Sequence, residues 1–462
     1  MKKVFKFFMA ASAITIVLTS CSQNEFPVNG DITPEPETSE LATLTVNFSG
    51  GPATRAITDN NANADELKAT SATIFVFNAQ NSYQTDTTVS LPGPYSTPTG
   101  YAVTFNVPTG NAKRVYVGLN FTTPLRDSVR LNGLAALTYS IADQEGLFYA
   151  SGNGNTPTFN GNLMFNDSTV IADIKPGQNT VNVNVERMAS KITVKKQGEL
   201  QQNTSITVSN ATFDISTLEF AMGNKNTKIL PMKEQTMTID PNWKSDSVAV
   251  YQSDFQNEFS MRGVNFAQWD LGQFKRVDDL NTPITARQVK YALENTHEKP
   301  RPGEVTYVTI KVKFDPQVIA TSFDDATKKP ITVPSASVSK KDTLHVVIDN
   351  NTYYYYTARD TAAKHVLYLR QFLQDADYST YYGQYCFYNV FLNSNPLGKE
   401  YQTRRNEFYD VGLEKISRLG RPYSELNPGE SNQIIGATSS ITVNISVNPW
   451  SLVDMGGQIL GD

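Results

Sequence analysis

The chain has 462 residues, too many for one ordinary β-sandwich, so two or three domains are expected. Lys plus Arg number 40 against 45 Asp plus Glu, a net charge of -5 with no basic stripe, which gives no electrostatic footprint for nucleic acid. Hydrophobic residues make up 39%, enough for real cores, and the 22 Tyr and 24 Phe, with frequent Thr, Asn and Val, favour strands and polar turns over long helices.

Lys2, Lys3 and Lys6 precede a short apolar run from Phe7 to Leu18. A transmembrane helix needs about 20 such residues, so the run reads as an export signal. It ends in Leu18-Thr19-Ser20-Cys21, which resembles the bacterial lipobox. In that motif the thiol takes the diacylglycerol and the Cys becomes the first residue after signal removal. The plain alternative is an ordinary signal peptide followed by a chance Cys. Residues 22–40 carry Pro27, Pro34, Pro36 and five acidic side chains, too polar to fold, and read as a tether. With Cys21 occupied, Cys386 has no partner for an intrachain disulfide. It lies in the strand-like run Tyr385-Cys386-Phe387-Tyr388 and reads as a small buried hydrophobe.

Leu44, Val46 and Phe48 alternate with polar residues, the period-2 pattern of a half-buried strand, before Gly50-Gly51-Pro52 breaks it. Arg55-Ala56 follows in an open polar stretch. The clearest further strands are Ala72–Asn78, Tyr101–Phe105, Arg114–Leu119 and the set Val181, Val183, Val185. Leu134–Ala142 reads as a short helix. The pattern restarts at Ile192 and Val194, which puts a domain boundary near Met188. Ile206–Val208, Phe213–Ile215, the set Val308 to Phe314, His345–Ile348, Tyr385–Phe391 and Glu407–Leu413 read as strands. His365–Ala376 is the best helix, with Val366, Leu369, Phe372 and Leu373 on one face. Trp243 to Lys299 reads as loop.

At the end, Ile441, Val443, Ile445 and Val447 alternate strictly with Thr442, Asn444, Ser446 and Asn448; Pro449, Trp450 and Leu452 follow. Chain ends are usually polar and frayed, so an amphipathic strand here needs a partner sheet. No constellation points to catalysis, a metal or a cofactor. His297, His345 and His365 lack ligand spacing and read as surface or strand residues. Asp59, Asn61, Asn63 and Asp65 have the spacing of a calcium loop, but Ala64 and Thr70 stand where Gly and Glu belong. Adjacent carboxylates such as Asp278-Asp279 would point to opposite faces of a strand.

In order along the chain, several segments resemble the fimbrillins of Bacteroides and Porphyromonas relatives. They are the lipobox; the strand before Arg55-Ala56; Ala64-Asp65-Glu66-Leu67 leading to Ile74–Phe77; Val185–Ile192; Arg404–Val411, which resembles an "RN-x-x-Y" strand; and Ile445–Trp450. The resemblance implies a mostly β protein of two transthyretin-like sandwiches with a few short helices. It divides the chain into a signal (1–21), a tether and propeptide strand (22–55), two sandwiches (56–188 and 189–440) and a donor-strand segment (441–462). It also implies lipidation at Cys21 and transient attachment to the outer membrane. An arginine-specific protease would then cut between Arg55 and Ala56, removing Leu44, Val46 and Phe48. A strand from another copy, drawn from Ile441, Val443, Ile445, Val447, Trp450 and Leu452, would fill the gap. The partners implied are other copies of the chain and accessory fimbrial subunits.

For Arg55 the plain alternative is a solvated loop residue, and for the terminal strand an edge strand of its own domain. A non-polymerising surface lipoprotein that binds glycans is the competing function, with Tyr353–Tyr356, Tyr378, Tyr381 and Tyr382 as stacking platforms.

Overall fold

This computed structural model describes residues 40–50, 69–91, 101–133, 149–150, 158–159, 163–166, 168–226, 255–259, 261, 266–297, 300–392, 401–425 and 441–449. Alternation of apolar and polar residues becomes strand along most of it. The first strands are β1 (Leu41–Gly50), β2 (Ser71–Phe77), β3 (Tyr83–Ser90), β4 (Tyr101–Pro108) and β5 (Gly110–Leu119). A short pair follows, β6 (Tyr149–Ala150) with β7 (Thr158–Phe159), then β8 (Met164–Asn166), β9 (Val170–Ile174) and β10 (Gln178–Arg187). All but the short pair join one sheet, ordered β3-β2-β5-β8-β10-β1-β4, with β9 branching from β5. One face makes a common core of Leu44, Val46 and Phe48 with Ile74, Val76, Val115, Val117, Val181 and Val183.

Helix α1 (Thr123–Asn132) packs beside this sheet, and the sequence reading missed it. Its signals are local: the Thr122 hydroxyl accepts from Leu125 N at 3.4 Å, Pro124 sits in the first turn, and Gly133 ends it at φ 69°. Its apolar stripe is only Leu125 and Val129, both buried. Leu134–Ala142, the expected helix, lies outside the described residues.

From Ala189 the strands leave the first sheet. They are β11 (Ala189–Lys196), β12 (Ser205–Val208), β13 (Ala211–Gly223), β14 (Lys225–Asn226), β15 (Phe255–Gln256), β16 (Lys275–Arg276), β17 (Val289–Leu293) and β18 (Tyr307–Pro316). Next come β19 (Val318–Asp324), β20 (Lys329–Pro334), β21 (Thr343–Asp349), β22 (Thr352–Tyr356), β23 (Tyr378–Tyr382), β24 (Tyr385–Phe391), β25 (Glu407–Ile416) and β26 (Ile441–Pro449). Helices α2 (Gly198–Gln202) and α3 (Arg359–Leu369) interrupt them. One sheet runs β17-β11-β25-β26 and a second β12-β13-β18-β24, with β16 on β13. Ile192, Val194, Val411 and Leu413 of the one share a core with Phe213, Ile310, Val312 and Tyr388 of the other. A third sheet, β20-β19-β22-β21-β23, carries α3 on Ala320, Val347 and Tyr356. The fold is mostly β with packed sheets and a few short helices, as expected.

The two groups of strands are not separated by a solvated gap. Phe75, Phe77, Tyr116 and Phe165 form one buried cluster with Met188, Ala189, Tyr291, Leu293 and Phe408. Tyr116 stacks on Phe165 with ring centroids 5.8 Å apart.

Three readings need correction. The stretch from Trp243 to Lys299 is not all loop, since β17 pairs antiparallel with β11 and buries Tyr291 and Leu293. Helix α3 begins at Arg359 and stops at Leu369, and its buried residues are Ala362, His365, Val366 and Leu369. Phe372 and Leu373 lie past its end and are exposed. His297 and His365 are neither surface nor strand residues. His365 lies inside α3, stacked on Phe323 at 4.9 Å with Nδ1 2.9 Å from the Tyr356 hydroxyl. His297 is buried in a connection after β17.

Candidate functional site

β1 is held on both edges. It runs parallel to β10, from Thr43 opposite Gln178 to Gly50 opposite Val185. It runs antiparallel to β4, from Leu41 opposite Pro108 to Phe48 opposite Tyr101. Backbone bonds seal its start: Thr43 N donates to Gly177 O and Thr109 N donates to Glu40 O, both at 2.9 Å. Leu44, Val46 and Phe48 point into the core and are at most 2% exposed. Phe48 stacks on Tyr101 with ring centroids 5.8 Å apart. Burying three such side chains stabilises by about 5–9 kcal/mol.

The solvent face of β1 is ordered too. The hydroxyls of Thr45 and Thr104 share a hydrogen bond at 2.9 Å. Asn47 Nδ2 donates to Asn182 Oδ1 at 3.0 Å. The sequence reading did not single out Thr104 or Asn182; only the Asn and Thr spaced two apart along β10 and β4 hinted at a polar ladder.

β26 stands in a different position. It pairs antiparallel with β25, from Pro449 opposite Glu407 to Ile441 opposite Ile416, with an irregularity between Leu413 and Lys415. Among the described residues it is the last strand of its sheet, so Ile441, Val443, Ile445 and Val447 belong to a strand paired there along one edge. The structure thus brings the terminal strand onto β25 of its own chain and does not bring it to β1. Cys21, Arg55, Ala56, Trp450 and Leu452, and the Asp59–Asp65 stretch, lie outside the described residues.

The arrangement offers two unequal strand sites. Taking out β1 would leave β10 and β4 with facing rows of unpaired N–H and C=O groups above an open apolar floor, a template for another strand. Taking out β26 would expose only one edge, that of β25. The Tyr-rich second half gives less to a glycan-stacking surface: Tyr355, Tyr356 and Tyr381 have their rings buried in the sheet cores.

The segment before β25 explains the "RN-x-x-Y" pattern. Arg405 pairs with Glu294, Asn406 takes a left-handed φ of 57° and donates its N–H to Ala189 O at 2.9 Å, and the Tyr409 hydroxyl accepts from Arg404 N at 3.0 Å. Burial, with Glu407 alongside, pushes the Tyr409 hydroxyl well above its ordinary range.

Residues 379–455 match the family model described as major fimbrial subunit protein type IV, fimbrillin, C-terminal. That span holds the Arg404–Val411 and Ile445–Trp450 segments. No curated protein matches the chain. Among solved structures, a candidate cell adhesion protein from Parabacteroides distasonis ATCC 8503 aligns over 89% of this chain and 100% of its own at 11% identity, TM-score 0.47. Another from Bacteroides eggerthii DSM 20697 aligns over 91% and 98% at 15% identity, TM-score 0.46. A fimbrilin from Porphyromonas gingivalis W83 aligns over 89% and 98% at 14% identity, TM-score 0.45. The family model spans β24, β25 and β26. The resemblance drawn from the ordered motifs is borne out, and residues 379–455 are similar to the C-terminal region of the fimbrillins.

Proposed function

We propose that this chain is a shaft subunit of a cell-surface fimbria, polymerised by strand exchange. The fimbrillin match supports a role as a pilus subunit. In this reading Cys21 carries the lipid that holds the precursor at the outer membrane, and an arginine-specific protease cuts between Arg55 and Ala56. The lost segment includes β1. The two sandwiches are 56–188 and 189–440, and the segment 441–462 is the donor.

The observation that carries the reading is the contrast between the two strands. β1 fills a slot between β10 and β4, while β26 is an edge strand. Cleavage after Arg55 leaves β1 a separate peptide, so its association loses the benefit of being tethered. An incoming strand recovers about 1.5–3 kcal/mol per large apolar side chain buried and about 0.5–1.5 kcal/mol per ladder hydrogen bond. Ordering about ten residues opposes this at about 1–2 kcal/mol each, so the apolar face is required. A strand lent head to tail makes a heterologous contact that does not close, and the product is a filament. The fimbria would serve adhesion or biofilm formation, and accessory subunits would cap or anchor it.

The test is to treat the purified precursor with an arginine-specific protease. A cut after Arg55 followed by ladders on a gel is the expected result, with Arg55→Ala blocking both. Normal ladders from a chain truncated before Ile441 would sink the donor assignment.

A further inference from the structure

Residues 44–52 read Leu-Thr-Val-Asn-Phe-Ser-Gly-Gly-Pro and residues 441–449 read Ile-Thr-Val-Asn-Ile-Ser-Val-Asn-Pro. Five of the nine positions are identical, and the first six differ only by Leu to Ile and Phe to Ile. The shared residues include the polar ones, Thr and Asn, which a hydrophobic face alone would not require. In β1 those two make the cross-strand contacts Thr45 to Thr104 and Asn47 to Asn182.

We propose that the segment 441–449 of a second copy enters the slot between β10 and β4 in one register, Ile441 taking the place of Leu44. This rests on the strand-exchange reading above and adds register and direction to it. The incoming strand runs as β1 does, parallel to β10 and antiparallel to β4. Ile441, Val443 and Ile445 then occupy the places of Leu44, Val46 and Phe48. Thr442 meets Thr104, and Asn444 meets Asn182. Both polar pairs re-form with the same side-chain types.

Other registers do less. A slip of one residue turns Thr442 and Asn444 into the core. A slip of two that brings Val443 to the place of Leu44 keeps an apolar face inward. It also sets Ser446 opposite Asn182 and Asn444 opposite Thr104, so neither native pair returns. The polar face therefore separates registers that the apolar face leaves nearly equal. The segment is a close copy with one gap. Ile445 cannot repeat the stack of Phe48 on Tyr101. The leader strand keeps that contact to itself until it is cut away.

Cross-linking between copies reads the register directly. Asn182 is exposed, so a cysteine there leaves the core untouched. Full-length Asn182→Cys chains are mixed with Thr442→Cys, Asn444→Cys or Ser446→Cys chains, matured with an arginine-specific protease and oxidised. Disulfide-linked dimers from the 182–444 pair, at several-fold the yield of the other two, are expected. A 182–446 or 182–442 maximum overturns the register while leaving strand exchange intact. Fibres of normal length with no cross-link from any pair overturn the exchange reading and the register with it. A second variant, Thr442→Val with Asn444→Leu, keeps strand propensity and removes both polar pairs. Its fibres should grow roughly tenfold more slowly, from two lost exposed hydrogen bonds. Unchanged growth would overturn the role given to the polar face.

Discussion

Arg405 donates from Nε and Nη2 to Oε2 of Glu294, at 2.9 and 2.7 Å, and both side chains are almost wholly buried. The pair ties the connection after β17 to the turn that starts β25. A buried charge stripped of its partner costs far more than the pair itself contributes. Arg405→Met should therefore destabilise by about 3–5 kcal/mol, and adding Glu294→Leu should recover most of the loss. Thermal melts of the two variants check this. Additive losses in the double variant would mean that the ion pair is not the unit that matters.

Phe48 should matter to the precursor and not to the fibre. Phe48→Ala opens a cavity beside Tyr101 and should cost the uncut chain about 3–5 kcal/mol. Under the proposed cut after Arg55 the residue is lost, so matured fibres should melt as the parent does. Comparing melts before and after protease treatment checks both halves. A fibre weakened by this substitution would show that β1 stays in the polymer.

His297 should make the chain acid-sensitive. Its burial, with the Arg301 charge nearby, pushes the imidazole down to about 4 from an ordinary 6.5. Its Nδ1 is buried without a hydrogen-bond partner among the described residues. Above about pH 6.5 the ring is neutral in both folded and unfolded chains, and its contribution is complete. Between 6.5 and 4 the unfolded chain takes up a proton that the folded chain refuses. Stability then falls as the pH drops, by up to about 3 kcal/mol. Denaturant midpoints from pH 7 to 4 should show this slope, and His297→Gln should flatten it.

Cys386 should be chemically silent in the folded chain. It is fully buried in the sandwich core, and its burial pushes the thiol up to about 12. A maleimide should label it only at the rate of unfolding, and labelling should jump in denaturant. Rapid modification under native conditions would mean that β24 opens far more readily than its packing allows.

The strands that frame the site were legible because their apolar faces repeat every second residue: Leu44, Val46 and Phe48, then Val181, Val183 and Val185, then Ile441 to Val447. Their pairing was not. Thr45 meets Thr104 across 59 residues, and Asn47 meets Asn182 across 135, and period alone does not choose partners at that range. β17 also alternates, at Val289, Tyr291 and Leu293, but its five residues sit in a polar stretch without other rhythm. Helix α1 escaped because its apolar stripe is two residues wide. Its cap, its first-turn proline and its closing glycine were all present in the sequence. The Arg404–Val411 pattern was visible as a motif, but its reason, a buried ion pair with a residue 111 positions away, was not.

The buried aromatic patch joining Phe75, Phe77, Tyr116 and Phe165 to Tyr291, Leu293 and Phe408 has a mechanical consequence. Tension on a filament passes through every subunit, and here it would cross a dry, ring-packed joint instead of a loose tether. Such a joint resists bending and shear until the rings part together. Pulling single molecules should accordingly give an abrupt rupture of this joint at one force, without the gradual stretching of a hinged rod.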